Sequence, residues 1–492
     1  MGRASTIRNL VIAMLLAAHT GIAHAAEGPF IPIDRGTLGG NITNVSIPAA
    51  INDAGQIVGL SLDPQKNEFR AFSSTQTEGM VNLGTLGGGY SEAFAVNNTG
   101  QVVGESFIAG DFITGHAFSW TRAEGMIDLG TLGGSFSQAV AVNDAGQVVG
   151  IAYPIGGNSL VYHAFLWTAT DGMRDLGTLG GNSSTAEAIN KNGQVVGYSY
   201  TIDDLESHAF SWTRAEGMID LGTIGGTESR PLAVNASGQV VGWSTTGTQP
   251  QHAFSWTRAG GMVDLGVLPG GRLSAAHAVN DMGQVVGDSV GFGPGGNPKI
   301  HAFLWTHETG MIDLGALGSN ASSNATAINN SGQIVGDSGN HAFSWTSKGG
   351  MVELGSLDCG VSGAVAVNSR GQVTGVSCTA TEYHAVVWEP IANLGCKTTL
   401  AGCNLEGVNL AGAYLKDGDL SGANLKDANL ARANLRGANL KGANMMGANL
   451  TDAKLAGAEL KGVNVKDVAW SNTICPDGTN SDAHGDTCVG HF

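Results

Sequence analysis

The chain has 492 residues, 76 of them Gly, about twice the usual ~7%. Charged residues make up 13%, roughly half the usual ~25%, while the hydrophobic fraction is an ordinary 42%. That balance excludes a disordered polyampholyte, a coiled coil and a helix-rich enzyme, and no triplet Gly period points to collagen. A formal charge of −17 argues against nucleic acid as a partner, because phosphate binding needs a clustered basic surface. Many short strands joined by Gly turns fit best, over two or three domains.

In chain order, residues 1–25 are expected to be a secretory signal peptide. Arg3 and Arg8 precede an apolar run at 10–18, and Ala23-His24-Ala25 ends the segment in the A-x-A manner. The run is too short to span a bilayer, and no later stretch reaches the ~20 apolar residues that would. Membrane insertion is therefore not expected; a membrane-tethered amino terminus is the alternative. Cleavage leaves 22 basic against 41 acidic residues, a mature charge of −19. The expected location is extracellular or periplasmic.

From about residue 31 to 395 one unit recurs eight times. Its clearest copy reads GMIDLGTLGG (125–134), AVAVNDAGQVVG (139–150) and HAFLW (163–167). The N-x-x-G-Q segment starts at Asn52, Asn97, Asn143, Asn190, Asn235, Asn280, Asn329 and Asn368. The H-A-F-x-W segment starts at His116, His163, His208, His252, His301 and His341, with degenerate copies at 70–74 and 384–388. A period of 40 to 50 residues means a solenoid, an array or a propeller. Each unit holds four short runs rich in Val, Ile, Phe and Trp, separated by Gly, Asn, Asp and Ser. Four strands repeated eight times predict an eight-bladed β-propeller over 26–395, with an open β-solenoid as the alternative. The strand copy at 31–40 is placed to close the ring, and 391–395 reads as a truncated ninth copy.

The triplet His-Ala-Phe, with GMIDLGTLGG and AVNDAGQVVG in fixed order, resembles the HAF family of bacterial extracellular repeats. The resemblance covers about 365 residues. It implies an exported β-rich repeat protein and brings no catalytic residues with it.

After Cys396 the sequence runs in five-residue steps, from CNLEG at 403–407 to VNVKD at 463–467. Leu or Met holds the centre of nearly every step and a small residue, usually Ala, sits two before it. This resembles the pentapeptide repeat family, which implies a right-handed quadrilateral β-helix over 396–472. The central residues should stack inside, the Ala positions admit only small groups, and Asn and Lys should face water. The tail 473–492 then resembles the cap that follows such repeats, covering the unpaired backbone of a solenoid end.

No G-x-S-x-G, H-E-x-x-H or C-x-x-C occurs, so no catalytic, cofactor-binding or metal-binding residue is assigned. The repeated residues His116, His163, His208, His252, His301, His341 and His384 are read as structural, each making the same buried hydrogen bond. A radial ring of seven does not make the three- or four-ligand cluster a metal needs. Asp34, Asp128, Asp175, Asp220, Asp264 and Asp313 share one position, replaced by Asn82 and Glu353, and suggest a turn or interstrand hydrogen bond. Asp477, Asn480, Asp482 and Asp486 are calcium candidates, though not at EF-hand spacing. Insertions at 105–115, 151–162 and 288–300, with Tyr153, Tyr162, Tyr198, Tyr200 and Trp243 nearby, suggest a binding face with surfaces for sugar rings.

Six Cys allow fifteen pairings, and proximity ranks three local ones first: Cys359 with Cys378, Cys396 with Cys403, and Cys475 with Cys488. The function expected from all this is an exported, non-catalytic scaffold without a cofactor. Its partner would be a carbohydrate or protein at the cell envelope. A polysaccharide-acting glycosidase or lyase on a propeller is the alternative. DNA mimicry, known among pentapeptide proteins, is set aside because 396–472 holds nine basic against seven acidic residues.

Overall fold

The computed structural model describes residues 29–39, 45–110, 114–156, 161–247, 250–292, 298–319, 321–396 and 399–492. The expected signal peptide lies outside the described residues, as do 111–113, 157–160 and 293–297 within the three expected insertions. The architecture is all-β. A short leading strand, β1 (Phe30–Asp34), precedes the first sheet. That sheet pairs β2 (Ser46–Ile51), β3 (Ile57–Asp63), β4 (Glu68–Thr75) and β5 (Gly79–Asn82) in chain order. Residues 87–128, 133–175, 180–222, 225–266, 271–313 and 323–353 form sheets 2 to 7 in the same antiparallel order. Sheets 4 and 5 touch through a single parallel bridge, Ser207 to Glu228.

Sheet 8 has three strands of its own, Ser362–Val367, Val373–Cys378 and Tyr383–Pro390, and takes β1 as its fourth. Residues 391–395 do not form a ninth strand. Proline ends the extended run at Pro390, and Ile391–Leu394 makes one 3-10 turn closed by Gly395 at φ 78°.

Two close contacts explain why the repeat is spelled as it is. Between first and second strands, the Gly of Q-V-V-G lies under a bulge: a Cβ on Gly104 would sit 1.9 Å from the Glu92 carbonyl oxygen. Between sheets, the Phe of each H-A-F triplet is fully buried against its neighbour. Phe165 of sheet 3, for example, packs with Val103, Ala117 and Leu129 of sheet 2. The same kind of cluster joins the ends of the series, Ile57 and Phe72 of sheet 1 with Ala385 and Val387 of sheet 8.

The Asn of each N-x-x-G-Q turn is the polar counterpart. Its Oδ1 accepts two backbone N–H groups of its own turn, and its Nδ2 donates to the carbonyl of the equivalent Asn in the next sheet. Asn52 donates to Asn97, Asn97 to Asn143, Asn143 to Asn190, and so on through Asn329 to Asn368. Asn368 then donates to Asn52, at 3.0 Å. The circuit returns to its origin.

From Cys403 onward the backbone repeats every four pentapeptides: Leu405 N–H donates to Asn424 O, Leu425 to Asn444, and Met445 to Asn464. Leu405 to Leu455 form a buried ladder, and Ala423 to Ala453 are buried between the walls. The Asn side chains do not simply face water. Asn464 donates to Asn444, Asn444 to Asn424 and Asn424 to Asn404, which satisfies a half-buried amide row along one side. At the start, β1 lends its second edge: Tyr414 N–H donates to Pro32 O and Asp34 N–H to Gly412 O, with Ile31 and Ile33 under the first coil. Cys359–Cys378, Cys396–Cys403 and Cys475–Cys488 are the disulfides, with Cα separations of 5.6, 5.7 and 5.3 Å. No helix among the described residues is long and apolar enough to cross a membrane.

Candidate functional site

The repeated His and the repeated acid are partners. In sheets 2 to 7 each His lies in the first half of the third strand and each acid at or near the end of the fourth, twelve residues on, so antiparallel pairing brings them together. Nδ1 meets the carboxylate in His116–Asp128, His163–Asp175, His208–Asp220, His252–Asp264, His301–Asp313 and His341–Glu353, at 2.7 to 2.9 Å. His384 completes the set with Asp34 of β1. The carboxylate also turns the chain: Asp128 accepts the Gly130 N–H, and Asp175 that of Gly177. These pairs are not the fully buried bonds expected, because the acid stands at a sheet's outer edge. Six of the imidazoles are 14–21% exposed and His341 38%; their acids are 31–46% exposed.

At His163 the Asp175 hydrogen bond outweighs partial burial and raises the imidazole pKa. On Asp175 burial pushes the pKa up, but His163 and the Gly177 N–H together hold it below the usual carboxylate range. The raised imidazole favours folding below the ordinary His pKa, and the benefit fades as pH rises through the folded value. The lowered carboxyl favours folding above the ordinary Asp pKa, and that benefit fades as pH falls through its own. The pair therefore contributes most between these ranges, in mildly acidic solution. An NMR titration should place the His163 midpoint above 6.5, and in Asp175→Asn it should return toward or below that value.

The five aromatic residues fall in two places: Tyr162 hydrogen-bonds Tyr198 and lies near Tyr200 and Arg230, while Tyr153 stands apart. Tyr198 is buried beneath the Arg230 guanidinium, 4.3 Å from its ring centroid, and the same cation lies 5.6 Å from the Trp243 ring. Tyr153 instead packs on Phe136 and, in sheet 2, Phe107 packs on Tyr90, at 5.0 and 4.9 Å between centroids. Of the tail candidates, Asp477, Asn480 and Asp482 are engaged in local bonds, and Asp486 is exposed. Asp477 accepts from Thr479 and pairs with His491; Asn480 and Asp482 accept the N–H groups of Asp482 and Asn472. Among the described residues no three His, Cys, Asp or Glu are grouped to hold a metal.

Two openings stand out among the described residues. One, of about 350 Å³, is lined by the N-x-x-G turns of sheets 1, 2, 3, 7 and 8. Its acids cap neighbouring turns: Asp144 accepts the Asn98 N–H and Asp53 that of Ser369. The other is a cleft of about 570 Å³ between sheets 1 and 2, lined by Lys66, Glu68, Arg70, Asn82, Thr85 and glycines 84, 87, 88, 89 and 110. It lies where the repeat fails, since Arg70 and Asn82 stand where other sheets carry the His and its acid. Arg70 is 4% exposed and engaged with the protein: it holds Glu68 and donates to Gly89 O at 2.7 Å. The signal for this site was in the sequence, as a broken repeat.

Fold and site together define an all-β repeat protein of two successive repeat types. The second type has a name: residues 396–427 and 428–467 match the family described as Pentapeptide repeats, in eight copies, and this segment is a pentapeptide-repeat segment. Among solved structures the chain is similar to a pentapeptide repeat protein from the Arabidopsis thaliana thylakoid lumen, at 34% identity over 15% of this chain and 51% of that one, TM-score 0.15. A pentapeptide repeat protein from the cyanobacterium Cyanothece 51142 matches at 42% identity over 15% and 49%, TM-score 0.15. The chain thus spans about half the length of these two. The β-propeller domain of the Trilobed protease from Pyrococcus furiosus matches at 7% identity over 76% and 95%, TM-score 0.38. No curated protein matches the chain.

Proposed function

We propose that this protein is an exported, non-catalytic scaffold that holds a carbohydrate or protein ligand of the cell envelope. Its eight sheets are read as the blades of one β-propeller of HAF-type repeats, followed by the pentapeptide β-helix. Support for the ring comes from the asparagine circuit, whose eighth member bonds to the first. Support for export comes from the composition of residues 1–25 and from three disulfides, which persist in oxidising compartments.

The observation that carries the binding role is the contrast between units. His, Asp, Asn and Ser at repeated positions are consumed by bonds within and between sheets, which makes them framework. An enzyme needs unlike groups converging on one place, whereas identical repeats give identical environments. A rigid framework with one irregular junction is what a binding protein requires. The full mature chain on a glycan array, together with envelope polymers, is expected to retain at least one carbohydrate or polymer unchanged. Turnover of any retained glycan would refute the non-catalytic reading.

A further inference from the structure

The cleft between sheets 1 and 2 differs in chemistry from the corresponding corner of the other sheets. Sheets 2 to 8 each close their outer corner with the His–acid pair. In sheet 1 that corner is rebuilt. Strands β3 and β4 run on to pair Asp63 with Glu68, which carries the hairpin, and Lys66 with it, to the mouth of the cleft. Asn82 replaces the acid and uses its Oδ1 on the Gly84 N–H. Arg70 spends its guanidinium on Glu68 and on the Phe69 and Gly89 carbonyls, so it fixes the walls rather than a ligand.

What is left facing the cleft is a distinctive set. The Lys66 ammonium is exposed, and among the described residues no carboxylate is recorded within ion-pair distance of it. Glu68 offers acceptor oxygens held in place by Arg70, and Thr85 offers a hydroxyl. Gly89 leaves its α-carbon open, since a Cβ there would meet only the Glu68 carboxyl, at 3.1 Å, whereas Gly87 and Gly88 are packed against Ala109 and Phe107. One unspent cation, fixed carboxylate acceptors and a hydroxyl match a ligand with one carboxylate and several hydroxyls. The volume, about 570 Å³, falls inside the ~300–1,000 Å³ of small-molecule sites. The chain's charge of −17 repels polyanions, which restricts the ligand to an isolated carboxylate.

We infer that this cleft binds a single uronic acid residue of an otherwise neutral glycan, with Lys66 pairing its carboxylate and Glu68 accepting its hydroxyls. The inference rests on the envelope-binding reading above and names its ligand class.

The test is isothermal titration of the full mature chain with glucuronic acid linked to xylose, with the methyl ester of that disaccharide, and with free glucuronate. The disaccharide is expected to bind, and its ester about tenfold more weakly, the loss of one charge-assisted hydrogen bond. Lys66→Ala should weaken the disaccharide by the same factor, while Lys66→Arg should retain most of the affinity. The double variant R70H/N82D restores the pair found in the other sheets; it should keep or raise the melting temperature and lose binding. Free glucuronate binding as tightly as the disaccharide would assign the same chemistry to a free sugar acid. Equal binding of disaccharide and ester, or Lys66→Ala binding like the parent, overturns the site. Retention on the array of another glycan or protein, indifferent to Lys66→Ala, overturns the site alone and leaves the scaffold reading standing. Retention of nothing overturns both.

Discussion

Asp337→Asn is expected to stabilise the protein above pH 7 and to leave it unchanged below pH 4. Asp337 lies in the second strand of sheet 7, where the equivalent residues are Leu60, Ile151, Tyr198, Trp243 and Val376, with acids only at Glu105 and Asp288. It is 9% exposed. Burial pushes its carboxyl up to about 7, and the Ala364 N–H, 2.8 Å from Oδ1, pulls only partly in the other direction. Asp288 has His277 at 3.0 Å, but no cation is recorded beside Asp337 among the described residues. Directly opposite in register stands Asn324, whose buried Oδ1 has no donor. A neutral carboxyl supplies the O–H that such an acceptor lacks; an ionised one places two bare acceptors together.

The sign follows from the raised pKa. The folded chain holds this proton more tightly than the unfolded chain, so stability falls as pH climbs from about 4 to about 7 and is level above. A rise of about three pKa units corresponds to up to about 4 kcal/mol. In Asp337→Asn the amide keeps an acceptor for Ala364 and gains a permanent donor, so this dependence should vanish. Urea unfolding at pH 5 and pH 8 measures the difference between parent and variant, which cancels other titrating groups. A difference of the same size at both pH values would refute the account.

Much of this architecture was legible because it is periodic. Four apolar runs per unit mark four strands wherever the core needs a β-branched or aromatic side chain in every second position. The pentapeptide step marks the β-helix because Leu at five-residue spacing lands on successive sides of the same interior. The local Cys pairings were legible for a related reason, since 7 to 19 residues separate partners that antiparallel strands or turns bring together.

What escaped was partnership. His163 and Asp175 are each visible as a repeated residue, but only strand pairing shows that one serves the other. The donor of Asn143 Nδ2 reaches a carbonyl 47 residues away in another sheet, and nothing local to N-D-A-G-Q distinguishes that from an ordinary turn. Buried Ser137 is similar: it accepts the Ala117 N–H of the preceding sheet and donates to Gly130 O, yet in sequence it is one more small polar residue. The aromatic residues misled for the opposite reason. Arg230 of the following sheet covers Tyr198, and the same side chain lies beside Trp243, its cross-strand partner within that sheet. The uses of β1 were half legible. Its resemblance to the closing strand showed in the sequence, but its second edge, bonded to Gly412 and Tyr414, belongs to a domain 380 residues later.

The second large effect is expected at Asn368, and it differs from the same change elsewhere in the circuit. Asn368→Ala removes the donor to Asn52 O and to Gln372 Oε1, and the acceptor of the Arg370 and Gln372 N–H groups. At about 1 kcal/mol or more for each buried group left without a partner, the loss is about 3 kcal/mol or more. Asn143→Ala breaks the equivalent set between sheets 3 and 4 and should cost about as much. The two sites differ in what else holds the sheets. Chain continuity joins sheet 3 to sheet 4 directly, whereas sheets 8 and 1 are joined in space by β1, the Ile57–Phe72–Ala385–Val387 cluster and the Ser46 bond to Ala385 N–H. When Asn368 is lost, the junction of sheets 8 and 1 can open without stretching the chain between them. Hydrogen exchange should therefore show faster exchange across Phe30–Asp34 and Tyr383–Pro390 in Asn368→Ala, while Asn143→Ala leaves those amides protected. Equal protection of these strands in both variants would mean that β1, pinned by the pentapeptide coil on its second edge, holds the junction without the asparagine.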